Sequence, residues 1–329
     1  MGKRIRLGIV GYGNLGKGAV WAAGQNPDLQ LQAIFTRRDL ETVEVEGEVP
    51  LQPIRALSDW KGELDVLVLC AGSAKDLPAM TPALAEHFSL VDSFDRHSEI
   101  PAHFAAVDAA ARKGGTLALI SAGWDPGLLS LARLYGAAAL PQGESATFWG
   151  KGVSQGHSNA LRRLPGVLDA KQYTIPIPAM LQAVREGKGK ALRPQDLHRR
   201  VCYVAAEPGR DLAALRREIE TLPGYFAGYQ TEVQFVSLEE LHRDHSGQPH
   251  GGGVIRSGGT GPSGERRQRM ECSLTLDSNP EFTASVLLSC ARAVHRMRQR
   301  GEAGCRTLLD VAPSDLASCS PETLRAQVL

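Results

Sequence analysis

The feature that most constrains this chain is a glycine motif directly after an apolar run near its start. Leu7-Gly8-Ile9-Val10 leads into Gly11-Tyr12-Gly13-Asn14-Leu15-Gly16, and a helix-compatible segment follows at 17–23. In such a setting the first glycine permits a tight turn, the second lets the backbone approach a pyrophosphate, and the third lets the helix pack closely on the sheet. A glycine-rich turn without a ligand is the alternative. The strand and helix signals around the motif favour a dinucleotide-binding unit.

The end of the next apolar run indicates which dinucleotide is bound. Residues 31–35 are followed by Thr36-Arg37-Arg38, where an NAD site would place Asp or Glu to accept hydrogen bonds from the ribose hydroxyls. Two guanidiniums suit a 2′-phosphate, because they are planar donors of charge-assisted hydrogen bonds. The pair therefore predicts NADP rather than NAD. Two solvated arginines at the start of a loop are the alternative.

Length, charge and cysteine spacing limit the class of protein. At 329 residues the chain exceeds the usual single core, which predicts two domains. The 37 basic and 36 acidic residues predict no nucleic-acid or membrane partner. No apolar run is long enough to span a bilayer and the apolar start is too short for a signal peptide, so a cytoplasmic protein with a small-molecule partner is expected. The six cysteines lack CxxC spacing, and no metal site is predicted.

The first 123 residues alternate between strand-like and helix-like segments. Helical stretches such as 100–113 separate apolar runs at 64–70, 89–92 and 116–120. This alternation predicts an α/β fold with a Rossmann-type, doubly wound parallel sheet that binds ligands at the carboxyl ends of its strands. The segments after these strands are Ala71-Gly72-Ser73, Asp92-Ser93-Phe94-Asp95 and Ser121-Ala122-Gly123-Trp124-Asp125. Two carboxylates, Asp92 and Asp125, are therefore expected near the nicotinamide.

From Trp149 onward the pattern changes to strand-like segments of a second domain, with helices between them. These segments are 171–175, 200–206, 231–236 and 270–276. They predict an α+β domain with an open mixed sheet that carries substrate-binding groups and a dimer surface. Residues 246–267 are dense in glycine and predict a long loop, in which His250 either reaches a ligand or is incidental.

The chain is predicted to consist of two domains and a C-terminal helical segment. Residues 1–123 form the dinucleotide-binding domain, and residues 124–282 form the substrate-binding and dimerisation domain. The amphipathic run at 283–300 begins a C-terminal helical segment, 283–329, that returns to the first domain.

Long motifs along nearly the whole chain resemble those of one enzyme family. They are IVGYGNLGKG, TRR, LCAGSAKDLP, VDSFDRH, SAGWDPGLLS, TFWGKGVSQGHSNALRRLPGV, QYTIP, PGYFAGY, QPHGGGVI, LDSNPEFTAS and ARAVHRM. On these motifs the chain resembles the meso-diaminopimelate dehydrogenases. It departs from the family pattern at Lys151, where relatives usually have Pro, and at Asn159, where they often have Asp.

The resemblance implies a homodimeric, NADP-dependent enzyme of lysine biosynthesis. Members of the family reversibly deaminate the D-centre of meso-2,6-diaminopimelate, giving ammonia and L-2-amino-6-oxoheptanedioate, which cyclises to tetrahydrodipicolinate. Two other functions remain open from the residues. One is another NADP-dependent oxidoreductase that acts on an aldehyde, a sugar or a dihydrodipicolinate-like ring, and the other is a non-catalytic NADP sensor.

The resemblance also implies the substrate contacts. They are Asp92, Trp124, Asp125, Trp149, Gln155, Gly156, Thr174, Arg200, His250 and Asn279. Their chemistry suits a substrate with an amino-carboxylate at each end, because carboxylates can hold the reacting ammonium and a cation can hold the distant carboxylate. Arg200 with Thr174 and His250 suits the distant carboxylate, Asn279 the distant amine, and the two tryptophans the methylene linker. Taken singly, each has an ordinary alternative, such as a core tryptophan or a strand-face ion pair.

Cofactor contacts and a catalytic base complete the predicted site. The cofactor contacts are Gly11, Tyr12, Gly13, Asn14, Leu15, Thr36, Arg37, Arg38, Cys70, Ala71, Gly72, Ser73, Ser93, Phe94, Ala122, Gly123 and Trp124. Because the ammonium must lose a proton before hydride leaves its carbon, a base or a water path is required. Asp92, Asp125 and His157 are the candidates, and the base stays open among them. A histidine capped by its neighbours at a helix start is the alternative for His157.

Overall fold

The chain divides into two compact units. Residues 1–131 and 280–329 form the first unit, and residues 132–279 form the second. The computed structural model describes residues 4–189 and 192–329. The C-terminal segment thus belongs to the first unit, and the predicted domain boundaries at 123/124 and 282/283 lie within ten residues of the unit boundaries.

The secondary structure of the described residues is as follows. The strands are β1 (Ile5–Val10), β2 (Leu29–Thr36), β3 (Leu51–Pro53), β4 (Val66–Leu69), β5 (Leu90–Asp92), β6 (Leu117–Leu119), β7 (Glu144–Trp149), β8 (Gly152–Val153), β9 (Val167–Pro176), β10 (His198–Ala206), β11 (Gln230–Phe235), β12 (His250–Thr260), β13 (Arg266–Leu276) and β14 (Gly304–Arg306). The helices are α1 (Asn14–Gly24), α2 (Leu77–Ala85), α3 (Ile100–Gly114), α4 (Leu128–Ala139), α5 (Gln155–Arg162), α6 (Pro178–Arg185), α7 (Pro194–Leu197), α8 (Leu212–Glu220), α9 (Leu238–Asp244), α10 (Asn279–Gln299), α11 (Pro313–Leu316) and α12 (Pro321–Val328). None of these helices is both long enough and apolar enough to cross a bilayer.

The first unit is built on a parallel sheet of seven strands. Their order is β14-β6-β5-β4-β1-β2-β3, and every neighbouring pair is parallel. Side chains alternate along β1, so that Leu7 and Ile9 pack with α1 and α10, whereas Val10 packs with α2 and α3. Helices therefore cover both faces, which explains why β4 is apolar at every position. The predicted doubly wound parallel sheet is confirmed.

A buried arginine joins the C-terminal segment to this sheet. Arg292 on α10 is 1% exposed, and its Nη2 donates to Asp28 Oδ1 at 2.8 Å and to Asn26 Oδ1 at 2.7 Å. Its Nη1 donates to the carbonyl of Leu316 at 2.8 Å. A buried guanidinium is tolerated only when its donors are paired, so this contact fixes α10 against the start of β2.

The second unit contains two sheets. The four-stranded sheet has the order β11-β10-β9-β8 and is mixed, because β10 is parallel to β11 and antiparallel to β9. The three-stranded sheet has the order β13-β12-β7 and is antiparallel. The four predicted strand segments of this domain all lie within or largely overlap β9, β10, β11 and β13.

The predicted long loop at 246–267 is wrong for most of its length. His250–Thr260 forms β12, which pairs with β13 along its whole length. The glycines allow backbones to approach closely: a Cβ on Gly251 would lie 2.5 Å from the carbonyl oxygen of Leu274, and one on Gly253 would lie 2.8 Å from that of Cys272. Glycine density here reflects tight strand packing rather than an open loop.

Candidate active site

Only glycine fits the turn that joins β1 to α1. Gly11 has φ +96°, and its N–H donates to the carbonyl of Phe35 at 2.8 Å. A Cβ on Gly11 would lie 2.6 Å from the Cys70 carbonyl oxygen, and one on Gly16 would lie 2.2 Å from the Gly11 carbonyl oxygen. The glycine roles predicted for the turn and for helix packing therefore match the geometry of both positions.

The start of α1 is open to an anionic ligand. Gly13 is the N-cap residue, and no side chain of the described chain caps the helix there. A Cβ on Gly13 would meet no described atom within 4 Å. The first N–H groups of a helix lack intrahelical acceptors and carry partial positive charge, so this end can accept a pyrophosphate.

A cavity of about 250 Å³ continues from this turn to the two predicted phosphate-binding arginines. Its lining includes Gly11, Tyr12, Gly13, Thr36, Arg37, Arg38, Cys70, Ala71, Gly72 and Asp76. Arg37 is 61% exposed and pairs with Asp76 at 2.8 Å, and Arg38 donates to the Tyr12 carbonyl. A 2′-phosphate at this position would compete with Asp76 for Arg37.

Asp92 is enclosed at the carboxyl end of β5. Its side chain is 0% exposed, and both carboxylate oxygens accept two hydrogen bonds. Oδ1 accepts from the N–H groups of Phe94 at 3.0 Å and Ser121 at 2.8 Å, and Oδ2 accepts from Thr81 Oγ1 at 2.8 Å and His103 Nε2 at 2.7 Å. Four segments of the first unit thus converge on one carboxylate, and Ser121, which donates to it, has φ +55°.

The other predicted residues of this edge lie on the segments that follow β4, β5 and β6. Ser73 Oγ accepts from the Asp95 N–H at 3.0 Å, and the Ala122 N–H donates to the Asp92 carbonyl at 2.9 Å. Trp124 is buried, whereas Asp125 is half-buried. The structure therefore distinguishes the two predicted carboxylates: the Asp92 side chain is fully buried among protein donors, whereas residue Asp125 is only half-buried.

Arg200 is a buried cation in the second unit. It lies on β10 opposite Thr174 of β9, is 8% exposed, and donates through Nη1 to the Thr174 hydroxyl. Within the described residues it forms no ion pair with a carboxylate, and its Nε has no hydrogen-bond partner. Burial lowers the pKa of the guanidinium, an effect that Tyr229 partly opposes. Since a buried charge is costly without a counter-ion, this geometry indicates an anionic ligand.

Two residues near Arg200, Tyr229 and Gln172, are not among the predicted site residues. The Tyr229 ring lies 4.3 Å from Arg200 Cζ. Gln172 is fully buried, donates from Nε2 to Thr174 Oγ1 at 3.4 Å, and leaves Oε1 without a partner in the described chain. Both stand in quoted motifs, PGYFAGY and QYTIP, and the period-two alternation of β9 places Gln172 on the same face as Thr174.

His250 lies close to Thr174 because a glycine separates them. Gly152 of β8 pairs with Thr174, and a Cβ on Gly152 would lie 2.3 Å from His250 Cα. Burial lowers the pKa of His250, whose Nδ1 accepts from the Gly251 N–H at 2.8 Å. The structure therefore brings together three residues predicted for the distant carboxylate, Thr174, Arg200 and His250.

His157 is neutral at ordinary pH. It lies in the first turn of α5 with Gln155 and Gly156, where Ser154 is the N-cap and its Oγ lies 2.7 Å from His157 Nδ1. Burial, followed by the charge of Arg200, lowers the His157 pKa to about 4. A general base works best with a pKa near the operating pH, so His157 is poorly suited to that role.

The remaining predicted contacts and the two departures also lie in the second unit. The Trp149 N–H donates to His198 Nε2 at 2.9 Å, and the Asn279 N–H donates to the Gln248 carbonyl at 3.0 Å. Asn159 accepts from Arg162 Nη1 at 2.6 Å, and the same guanidinium donates through Nε to Asp169 of β9 at 2.6 Å. Lys151 is exposed.

A Rossmann-type unit with an open helix start, joined to a second unit with a buried cation, has the organisation of a dinucleotide-dependent dehydrogenase. The sequence model described as "Diaminopimelic acid dehydrogenase C-terminal domain" matches residues 123–278. The chain is 50% identical to the meso-diaminopimelate D-dehydrogenase of Ureibacillus thermosphaericus over 326 residues, 99% of each chain. The chain therefore belongs to the meso-diaminopimelate D-dehydrogenase family, and the family predicted from the motifs is confirmed.

Solved structures agree with this assignment. A six-substitution mutant of the Clostridium tetani E88 enzyme with DAP superposes with a TM-score of 0.94 at 47% identity, covering 99% of this chain and 100% of that one. An engineered D-amino acid dehydrogenase bound to NADP+ superposes with a TM-score of 0.88 at 39% identity, again covering 99% of this chain and 100% of that one.

The two arginines of the cavity generate the first prediction. Replacing Arg37 and Arg38 with Gln should weaken NADP binding by about 1.5–3 kcal/mol for each lost charge-assisted contact, with little effect on NAD, which lacks the 2′-phosphate. Calorimetric titration with both cofactors measures the difference. Arg325→Gln, at an exposed position of α12, is the matched control. An equal loss for NADP and NAD would contradict the assignment.

Proposed function

We propose that this protein catalyses the NADP-dependent, reversible oxidative deamination of the D-centre of meso-2,6-diaminopimelate. The substrate, NADP+ and water give L-2-amino-6-oxoheptanedioate, ammonia, NADPH and a proton. Family membership supports the reaction. The observation that supports a dicarboxylic substrate is the buried Arg200 cation opposite Thr174. A simple amino acid has no second carboxylate that could neutralise this cation.

The residues of the first unit suit NADP. The start of α1 would hold the pyrophosphate, and Arg37 and Arg38 would hold the 2′-phosphate. When bound, NADP supplies the hydride acceptor. The engineered relative bound to NADP+ supports this choice.

At the reacting centre, Asp125 would hold the ammonium. It is half-buried, so its charge acts at reduced dielectric while a ligand can still reach it. Asp92 contributes through the backbone of Phe94 and Ser121, whose N–H groups it accepts from. Asp125 would pass a proton to water, because Asp92 is enclosed by protein donors. Trp124 would limit how the substrate chain turns.

At the distant end, Arg200 would hold the carboxylate, with Thr174 and His250 as supporting donors. Asn279 would bind the distant amine through its side-chain carbonyl. Trp149, Gln155 and Gly156 would contact the methylene linker and the backbone of the substrate.

A spectrophotometric assay tests the proposed function. With NADP, meso-diaminopimelate should yield NADPH and ammonia in equal amounts, whereas LL-diaminopimelate, which has no D-centre, should yield neither. NADPH formation without ammonia would indicate another oxidoreductase reaction. Cofactor binding without turnover of any isomer would indicate a non-catalytic protein.

Three substitutions separate substrate holding from proton transfer. Asp125→Asn should lower kcat, because it removes the accessible carboxylate, whereas Asp92→Asn should lower thermal stability and weaken NADP binding by disturbing the turns at Phe94 and Ser121. His157→Asn should leave the pH profile of kcat unchanged above pH about 5, because the pKa of His157 is already about 4. If none of the three lowers kcat by more than about tenfold, the base lies elsewhere.

The distant-carboxylate role of Arg200 gives a specificity prediction. Arg200→Met keeps much of the side-chain length and leaves the distant carboxylate unpaired, so kcat/KM for meso-diaminopimelate should fall about 100-fold or more. Whatever activity the wild type has on D-alanine or D-norleucine should survive comparatively well. Arg199→Met, at a half-exposed position beside it, is the control. An equal loss on all substrates would assign Arg200 to the fold or the cofactor.

We infer a homodimer that assembles through β13. This strand lies at the edge of its sheet, nearly all its side chains are exposed, and Met270 on it is 41% exposed. A long edge strand with unpaired backbone groups is a template for association, and a second copy satisfies it symmetrically. A cytoplasmic location follows from the proposed biosynthetic reaction and is testable by cell fractionation.

The proposed dimer surface gives a further prediction. Met270→Glu should shift the protein from dimer to monomer in sedimentation equilibrium, because it places a charge in the contact. Leu168→Glu, at a 50% exposed position of β9, should leave the protein dimeric. A monomeric wild type would overturn the dimer, and a dimeric Met270→Glu would move the interface elsewhere.

A further inference from the structure

We propose that Tyr229 is a positioning residue that orients the Arg200 guanidinium for the distant carboxylate and thereby sets selectivity for a dicarboxylic substrate. The inference rests on the proposed function, which assigns that carboxylate to Arg200. It concerns the PGYFAGY segment, 223–229, for which neither the motif nor the reaction supplied a role.

The segment holds Tyr229 in a defined place. Phe226 is fully buried in the core of the mixed sheet, and the Tyr229 N–H donates to its carbonyl at 3.0 Å. Gly224 and Gly228 have φ values of +77° and +85°, a conformation that favours glycine. Tyr229 then leads directly into β11, where Thr231 pairs with Arg200. The loop therefore delivers the ring to the strand neighbour of the cation.

The contact restricts the plane of the guanidinium. Arg200 Cζ lies 4.3 Å from the Tyr229 ring centroid, and Nη1 is held by Thr174. With the ring beside Cζ and the Thr174 hydroxyl on Nη1, the guanidinium is limited in how it can turn, and its Nε is buried without a hydrogen-bond partner in the described chain. A carboxylate accepts two parallel hydrogen bonds only from such a fork, so the ring prepares Arg200 for a carboxylate before the substrate arrives.

The same contact offsets the cost of burying the charge. Burial lowers the pKa of Arg200, and the electrostatic interaction and hydrogen bond with the Tyr229 side chain raise it. The ring contact acts in addition to these. A cation over an aromatic face is stabilised by the ring quadrupole, and this stabilisation grows when water is excluded. Tyr229 thus stabilises part of the Arg200 charge before the substrate carboxylate binds.

Kinetics of three Tyr229 variants test the inference. Tyr229→Leu and Tyr229→Met remove the ring, and each should raise the KM for meso-diaminopimelate roughly tenfold, with kcat and the KM for NADP changed by less than about twofold. Tyr229→Phe keeps the ring and should retain most of the affinity. Tyr203→Phe is the matched control, because Tyr203 lies on the opposite face of β10 and stacks on His245. If one of the aliphatic variants fails to fold, the other carries the test.

Calorimetric titration with pimelate, which has two carboxylates and no amine, gives a second measurement that does not depend on turnover. Weaker pimelate binding in the aliphatic variants, but not in Tyr229→Phe or Tyr203→Phe, supports the inference even if the wild type fails to oxidise meso-diaminopimelate. In that case only the proposed function is lost. Three results would overturn the positioning role of Tyr229. They are absence of pimelate binding by the wild type, unchanged pimelate binding in the aliphatic variants, and a fall in kcat and in NADP affinity as large as the fall in substrate affinity.

Discussion

One buried carboxylate organises the edge of the parallel sheet on which the first unit depends. Asp92 accepts hydrogen bonds from Phe94, Ser121, Thr81 and His103, and these belong to four separate segments. Such a charge is stable in the interior only because every lone-pair direction has a donor. The segments after β5 and β6 at the proposed cofactor edge are therefore held by a buried carboxylate, in addition to contacts at the surface such as that between Ser73 and Asp95.

The second unit follows the opposite principle. Arg200 is buried against the Thr174 hydroxyl and the Tyr229 side chain, and no described carboxylate neutralises it. Its charge also contributes to the lowered pKa of His157. An interior that leaves a cation uncompensated is suited to an anionic ligand, because binding removes an existing electrostatic cost. The two units are therefore preorganised in different ways. In the first, the Asp92 carboxylate has all its hydrogen bonds made by the protein, and in the second, the Arg200 guanidinium has no described carboxylate partner.

Two groups of glycines show when a structure can be predicted from neighbouring residues and when it cannot. The Gly11 turn was predictable, because a strand, a turn and a helix follow one another within a few residues. The glycines of β12 predicted a loop, and this prediction was wrong. They allow close backbone contacts with the partner strand β13. A glycine has no side chain to reveal its neighbour, so only the paired strand shows why it is there.

The sequence by itself determined the class of fold, the family and the arginine pair that suits NADP, since these depend on periodicity and on residues adjacent along the chain. Tertiary structure alone decided that Asp92 is enclosed while Asp125 remains accessible, and that His157 is neutral. It also brought Tyr229 to Arg200 across a strand pair. Burial, pKa and ring contacts arise from segments distant in sequence, and no local pattern contains them.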